Sequence, residues 1–283
     1  MRLLVKVGGA QLEERSARAA LCASVKSACA AGHELVLVHG GGNQIRELVQ
    51  KLGLEERYHQ GLRVTDAATA DVVLMVLAGL VNKELVFALE TAGVRACGLS
   101  GADGSTFHAR KNKDHEIDLG YVGVVARTDT RLVELLIDEG ILPVIATAAP
   151  LSKGEEDARD HFYNINADLA AGPLARALDV DALLFLTDVP GVLDADRQRI
   201  ARLTASQCAE LRASGVVHGG MIPKVEAALA ASKANPQALV KIAPAAGDDA
   251  VLRALSADVG TRFVGDAAGN NVDRTAARNI EES

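Results

Sequence analysis

Short apolar runs alternate with longer segments of helical periodicity along most of this chain. The apolar runs predict buried strands over residues 3–7, 35–38, 96–100, 141–147, 182–187 and 238–242. Apolar positions at helical spacing predict helices over residues 16–30, 43–52, 71–91, 129–139, 167–178 and 225–234. Strands and helices that alternate in this way are typical of a mostly parallel sheet covered on both faces. The sequence therefore predicts an α/β fold, a three-layer αβα sandwich with a mostly parallel central sheet.

Polar segments and a change of composition divide the chain further. Residues 107–125 are charged and irregular, which favours a surface hairpin over a contribution to the core. Residues 152–162 predict the tip of a second hairpin, and either a substrate lid or a solvated loop is compatible with their acidic side chains. We expect an N-terminal lobe over residues 1–175 and a C-terminal lobe over residues 176–264. Residues 265–283 have almost no apolar side chains, which predicts a disordered tail.

Composition limits the classes of function. The 283-residue chain is 49% apolar but only 3% aromatic, without tryptophan, so its core has to consist mainly of Val, Leu, Ile and Ala. A net charge of −7 argues against a nucleic-acid or anionic membrane surface, which needs a basic excess. The four cysteines and seven histidines show no metal-binding spacing, so we expect reduced packing thiols and no resident metal.

The N-terminus and the apolar runs predict a cytoplasmic protein. The first apolar run is too short for a signal peptide, and Lys6 interrupts it. No run of apolar residues approaches the ~20 that a membrane span requires.

Two lysines stand beside glycine pairs in the sequences Lys-Val-Gly-Gly, at Lys6, and Gly-Gly-Met-Ile-Pro-Lys, ending at Lys224. A second glycine run, residues 40–42, follows the second predicted strand. The carboxyl ends of parallel strands meet at one sheet edge, where glycine N–H groups and helix N-termini can hold an anion. The chain lacks both the Gly-x-x-x-x-Gly-Lys-Ser/Thr and the Gly-x-Gly-x-x-Gly signatures. The pattern therefore indicates a phosphate site that is neither a P-loop nor a classical dinucleotide site. Each glycine run alone is also compatible with a tight turn.

Three further segments carry candidate polar groups. Arg63, in Gly-Leu-Arg-Val-Thr, can pair with a carboxylate, or it can be an ordinary solvated charge. The predicted transition from a strand to a helix carries Asn164, Asn166 and Asp168, one of which is needed as the N-cap. Because Asn164 and Asn166 alternate along the strand end, at least one polar side chain there faces outward. The buried strand over residues 182–187 ends in a Pro-Gly turn that could form a shelf for a nucleotide base.

At these positions the chain resembles the amino acid kinase family. The resemblance runs from Lys6 to about residue 263, and its selective segments are Gly-Leu-Arg-Val-Thr and Asn-x-Asn-Ala-Asp. It implies the amino acid kinase-like (carbamate kinase-like) fold, use of ATP and Mg²⁺, and phosphorylation of the γ-carboxylate of N-acetyl-L-glutamate by in-line transfer without a general base. It also implies that the N-terminal lobe binds the acyl amino acid and forms a homodimer, and that the C-terminal lobe binds ATP. Arginine-inhibited members of the family carry an extra helix ahead of the first strand. In this sequence the first strand begins almost at Met1, so the resemblance implies a dimer that is insensitive to arginine.

The resemblance also implies roles for individual residues. Lys6 and Lys224 would stabilise the phosphoryl group in transfer, and Asp168 would hold both lysines. Arg63 would bind a substrate carboxylate and Asn164 the acetamido group. The glycines that would line the phosphate and substrate sites are Gly8, Gly9, Gly40, Gly41 and Gly42. The residues that would border the nucleotide are Asp188, Val189, Gly191, Val192, Leu193, Val217, His218 and Met221.

Two alternatives remain open from the sequence. The same chemistry could act on N-succinylglutamate or on carrier-linked aminoadipate or glutamate, because a pocket separates small acyl groups through few contacts. The chain could instead be a catalytically silent amino-acid or nucleotide sensor. The two lysines and Asp168 argue against a sensor, since sensing needs no charge along a transfer path.

Overall fold

A computed structural model describes residues 1–113, 116–154, 161–247 and 249–265 of the chain. In chain order the strands are β1 (Arg2–Val7), β2 (Glu34–His39), β3 (Tyr58–His59), β4 (Leu62–Arg63), β5 (Ala96–Leu99), β6 (Phe107–Lys111), β7 (Val122–Thr128), β8 (Leu142–Ala146), β9 (Ala148–Ala149), β10 (Tyr163–Ile165), β11 (Ala182–Thr187), β12 (Arg202–Leu203), β13 (Leu239–Pro244) and β14 (Thr261–Phe263). The helices are α1 (Ala10–Glu13), α2 (Arg15–Ala30), α3 (Gly42–Lys51), α4 (Ala67–Leu74), α5 (Asn82–Thr91), α6 (Arg131–Asp138), α7 (Ala167–Ala177), α8 (Ala205–Ala213), α9 (Met221–Ala234) and α10 (Ala250–Leu255). A π-helical segment, Met75–Val81, joins α4 to α5.

The main sheet has eight strands in the order β12-β14-β13-β11-β1-β2-β8-β5. Neighbouring strands run parallel except β13 and β14, which are antiparallel. β1 lies between β2 and β11, which explains why it is apolar almost throughout. The predicted α/β fold with a mostly parallel sheet is confirmed.

Alternate residues of β1 enter separate cores on the two faces of the sheet. Leu4 packs in a cluster that includes Leu174 of α7 and Ala228 of α9. Leu3 packs in a second cluster that includes Val25 of α2 and Leu85 of α5. Because side chains alternate along a strand, one short apolar run supplies both faces. The result is the three-layer arrangement that the sequence predicts.

The hairpin of β6 and β7 corrects one expectation. It belongs to a second sheet with the order β6-β7-β10-β9, and Phe107 and Ala109 are fully buried. The prediction of a surface segment outside the core was therefore wrong. Charged residues such as Arg110 dominate the composition here, whereas a strand needs an apolar side chain only at every second position to cover a core. Leu119, in the turn region of this hairpin, is fully buried as well.

The second predicted hairpin is only partly described. Its arms, β9 and β10, pair antiparallel. Residues 155–160 of its acidic tip lie outside the described residues, as does the predicted tail from residue 266 onward. The division into lobes 1–175 and 176–264 stays a prediction.

The helix over Ala67–Thr91 is long and apolar enough to cross a membrane by length and composition, with a mean hydropathy of 2.1 in an 18-residue stretch. The expectation that no segment approaches a span was wrong in this respect. Core helices of soluble proteins pass the same test, and Val73 and Leu85 are fully buried here. Met75, Leu80 and Phe87 expose 55%, 51% and 74% of their surface, so the exposed part of this helix carries large apolar side chains beside charged ones such as Lys83.

Candidate active site

A cavity of about 220 Å³ opens at the carboxyl ends of β1 and β2. Both strands run parallel and end at the same edge of the sheet, so their glycine runs converge there. The sequence-predicted residues that line this cavity are Lys6, Gly8, Gly9, Gly40, Gly41, Gly42, Arg63, Asn164 and Asp168. The structure thus brings the proposed phosphate and substrate residues into one site.

Three charged residues from distant parts of the chain meet beside the cavity: Lys6 and Asp168 line it, and Lys224 does not. Lys6 near the end of β1 and Lys224 in the first turn of α9 both contact Oδ1 of Asp168, at 2.8 and 2.9 Å. Asp168 lies in the first turn of α7. All three side chains are buried, with 8 or 9% of each residue exposed. Because these charges are largely shielded from water, removal of one residue would leave a buried charge without its partner and destabilise the protein.

Burial and the neighbouring charges shift the pKa values of this group. Burial alone would raise the pKa of Asp168, but the ammonium groups of Lys6 and Lys224 outweigh it, so the pKa lies below its ordinary value and the carboxylate stays ionised. Burial, together with the nearby charge of Lys6, lowers the pKa of Lys224 to about 8, although Asp168 opposes the shift. Lys224 therefore loses its charge at a lower pH than an ordinary lysine does.

The structure resolves which polar residue caps α7. The side chain of Asn166 accepts hydrogen bonds from the backbone N–H groups of Asp168 and Leu169, so Asn166 is the N-cap. Asn164 lines the cavity instead, and its Nδ2 donates to Thr65 Oγ1 at 3.3 Å. The prediction that one of Asn164, Asn166 and Asp168 would be the N-cap is confirmed.

The glycine run after β2 allows a close approach of the helix over residues 67–91. A Cβ added at Gly41 would lie 2.9 Å from Leu77 and 3.1 Å from Val81, both in the π-helical segment. A Cβ at Gly8 would lie 3.2 Å from Nζ of Lys6. A side chain at Gly41 would therefore press on Leu77 and Val81, and one at Gly8 would require the ammonium group of Lys6 to shift slightly.

The guanidinium of Arg63 already has partners in this structure. Its Nη1 donates to Oε1 of Glu56, its Nη2 donates to the Gly42 carbonyl at 2.9 Å, and it lies 4.8 Å above the ring of Tyr58. Sequence reasoning did not identify Glu56 and Tyr58. No signal in the sequence marks these two residues, because the short hairpin of β3 and β4 brings them to the guanidinium only in the folded chain.

His39 at the end of β2 is fully buried and serves as a structural residue. Its Nδ1 donates to the Gly40 carbonyl at 2.9 Å, and its Nε2 accepts from Nδ2 of Asn82, whose other contact is the Val144 carbonyl. Burial lowers the pKa of His39 to about 4, so the ring is neutral at physiological pH.

The predicted nucleotide residues lie outside the glycine-lined cavity. Asp188 follows β11, and Met221 begins α9 one turn before Lys224. The side chains of Val192 and Val217 are 1% and 5% exposed and belong to the core, so only their backbone could contact a ligand. The other members of this set are Val189, Gly191, Leu193 and His218.

Comparisons with known proteins identify relatives over most of the chain. The model of the amino acid kinase family matches residues 1–241. A curated acetylglutamate kinase from Methanopyrus kandleri is 44% identical over 239 residues, which cover 82% of this chain and 91% of the relative. A solved Streptococcus mutans protein superposes with a TM-score of 0.76 at 29% identity, covering 93% of this chain and 98% of that one. Carbamate kinase from Giardia lamblia bound to AMP-PNP has the same fold, with a TM-score of 0.70 at 18% identity over 94% and 98% of the two chains.

Proposed function

The chain belongs to the amino acid kinase family, and we propose that it transfers the terminal phosphoryl group of ATP to the side-chain carboxylate of N-acetyl-L-glutamate, a step of arginine biosynthesis. Relatives named acetylglutamate kinase, more than 40% identical over most of the chain, support the substrate. The observation that carries the chemistry is the contact of Lys6 and Lys224 with one oxygen of Asp168 beside the glycine-lined cavity.

This arrangement suits phosphoryl transfer to a carboxylate. A carboxylate is already a nucleophile, so the reaction needs no general base, and the protein has to position two anions and stabilise the charge of the moving group. The ammonium groups of Lys6 and Lys224 would provide this charge, while Asp168 fixes their positions. The backbone N–H groups of the glycine runs would bind phosphate oxygens along the path.

The remaining assignments follow the same scheme. Arg63 would hold a carboxylate of the substrate, exchanging its contact with Glu56 for the ligand, and Asn164 would bind the acetamido group. The residues around Asp188 and Met221 would border the nucleotide. Met221 supports this assignment, because it begins α9, the helix that also carries Lys224.

We propose that Mg²⁺ enters with the nucleotide. Among the described residues, no group of three or more His, Cys, Asp or Glu side chains could hold a metal ion. The carboxylate of Asp168 is already paired with two lysines. Mg²⁺ commonly binds through substrate phosphates and waters, so the ion would be carried by the ATP phosphates and would neutralise part of their charge.

We further propose a homodimer in the cytoplasm. The exposed side chains of Met75, Leu80 and Phe87 on the helix over Ala67–Thr91 support a partner surface, since apolar patches on soluble proteins often mark interfaces.

An assay of ADP release with four acceptors tests the function. N-acetylglutamate, N-succinylglutamate, glutamate and aminoadipate are compared at equal concentration, and acyl phosphate is trapped with hydroxylamine. We expect the highest kcat/KM for N-acetylglutamate. A preference for the succinyl compound or for aminoadipate would favour the alternative acceptors, and binding of ATP and N-acetylglutamate without any turnover would favour a silent sensor.

A further inference from the structure

A separate polar cavity of about 230 Å³ lies on the hairpin of β6 and β7. It is lined by Ser105, His108, Arg127, Ser152 and Lys153. None of these residues borders the glycine-lined cavity. The described lining therefore consists of two hydroxyls, one imidazole and two cationic side chains, and it contains no carboxylate.

Strand pairing brings these side chains together. His108 and Arg127 are directly opposite each other on β6 and β7, where paired side chains point to the same face. The segment that carries Ser152 runs along β6: the N–H of Ser152 donates to the carbonyl of Ala109 at 2.8 Å, and the N–H of Ala109 donates to the carbonyl of Pro150 at 2.8 Å. Backbone hydrogen bonds thus fix the positions of the hydroxyl and the imidazole.

Two polar atoms at this site lack partners. Nδ1 of His108 and Oγ of Ser152 are buried and have no hydrogen-bond partner among the described residues. Most buried polar atoms in proteins are hydrogen-bonded to protein, water or a ligand, so this pair offers two hydrogen-bonding positions to a group that enters the cavity.

Among the described residues, no carboxylate lines this cavity beside its two cationic side chains. Burial lowers the pKa of His108, and the nearby charges of Arg127 and Lys153 lower it further. An anion between these groups would relieve the repulsion among them.

We propose that this cavity binds a phosphate group. The five side chains offer hydrogen-bond donors from several directions, and a guanidinium and an ammonium supply positive charge. A tetrahedral phosphate presents more acceptor oxygens than a carboxylate, so it can satisfy more of these donors at once. The group can be inorganic phosphate or the phosphate of a small ester, because both present phosphoryl oxygens to the site.

The imidazole of His108 gives a local readout that separates this site from the active site. The protein is labelled with ¹³C-histidine, the His108 signals are assigned with His108→Gln, and inorganic phosphate is titrated at constant pH and ionic strength. We expect a saturable shift of the His108 signals. Titrations with glycerol phosphate, acetate and chloride distinguish an ester, a carboxylate and a general salt effect.

Matched variants test which charges bind the anion. Arg127→Gln and Lys153→Gln should each weaken phosphate binding by about 10-fold or more, as expected for loss of a charge-assisted hydrogen bond. The control is Arg176→Gln, because Arg176 borders a larger, mostly apolar cavity together with Arg127 but does not line this one. It should bind like the unaltered protein. Equal shifts with chloride, tighter binding of acetate, or unchanged affinity in folded Arg127→Gln and Lys153→Gln would each overturn the proposal.

Discussion

The ammonium groups of Lys6 and Lys224 share one carboxylate oxygen, Oδ1 of Asp168, at 2.8 and 2.9 Å. Two like charges this close repel each other strongly when water is largely excluded. The shared carboxylate offsets that repulsion and holds both groups at the wall next to the glycine-lined cavity. The site is therefore assembled before any ligand binds, which is the condition for electrostatic stabilisation without reorganisation.

Removing either ammonium group should slow the chemical step. We expect Lys6→Ala and Lys224→Ala each to reduce kcat by at least ~100-fold with little change in KM, as for loss of one transition-state donor. Steady-state kinetics with purified protein measures both constants. Lys233→Ala is the control, because Lys233 is an exposed residue in the last turn of the same helix as Lys224. Turnover at the unaltered rate in either Lys6→Ala or Lys224→Ala would remove the proposed role.

The pKa of Lys224 predicts the alkaline limb of the pH profile. Because burial and the charge of Lys6 lower this pKa to about 8, the amine loses its charge as pH rises through that value. We expect kcat/KM, which reports the free enzyme, to fall above about pH 8. In Lys224→Arg the guanidinium stays protonated, so whatever activity remains should lack this limb. An identical alkaline limb in the arginine variant would assign the titration to another group.

The neutral ring of His39 predicts a loss of stability in mild acid. Its pKa is about 4 in the folded chain, below its ordinary value of 6.5, so the unfolded state binds the proton first as pH falls. The free energy of unfolding should therefore decrease by about 2 kcal/mol between about pH 7 and about pH 5. Urea unfolding at each pH measures this. His39→Gln should flatten the dependence, whereas His218→Gln, at an exposed position, should leave it unchanged.

The proposed substrate clamp predicts a different kinetic effect. We expect Arg63→Ala to raise KM for the acyl amino acid by at least ~10-fold while kcat changes less, because the guanidinium binds a part of the substrate that does not react. Arg57→Ala is the matched control: Arg57 belongs to the same segment, and its side chain is 60% exposed beside Glu55. An unchanged KM in Arg63→Ala would count against the clamp.

Periodicity was sufficient to predict six of the eight strands of the main sheet, all except β12 and β14, and most of its helices. β1 and β11 are continuous apolar runs because both faces of a central parallel strand are buried, and this signal is strong in a single sequence. Short or edge elements carry a weaker signal. α8 was not predicted, although Thr204 and Gln207 form a capping box at its start, a pattern that sequence reading could have used.

The glycines and the N-cap region of the candidate site were predictable because strand ends and helix starts favour particular residue types. The glycines beside Lys6 and before α3 converge because parallel strands end at one edge, and the spacing of Asn164, Asn166 and Asp168 follows from a strand that becomes a capped helix. The partners of Arg63 were not predictable in this way. Glu56 reaches the guanidinium through the fold of a short hairpin, and nothing in its sequence position distinguishes it from the neighbouring Glu55.

The position of β1 between β2 and β11 has a consequence for synthesis of the protein. The register pairs Lys6 with Phe185 of β11. β1 therefore cannot pair with β11 until about two-thirds of the chain has left the ribosome. Until then one edge of β1 offers unpaired N–H and C=O groups to other chains. Lys224 is translated later still. We therefore expect prematurely released fragments to be aggregation-prone and inactive, because catalytic competence arises only when translation has supplied both halves of the sheet.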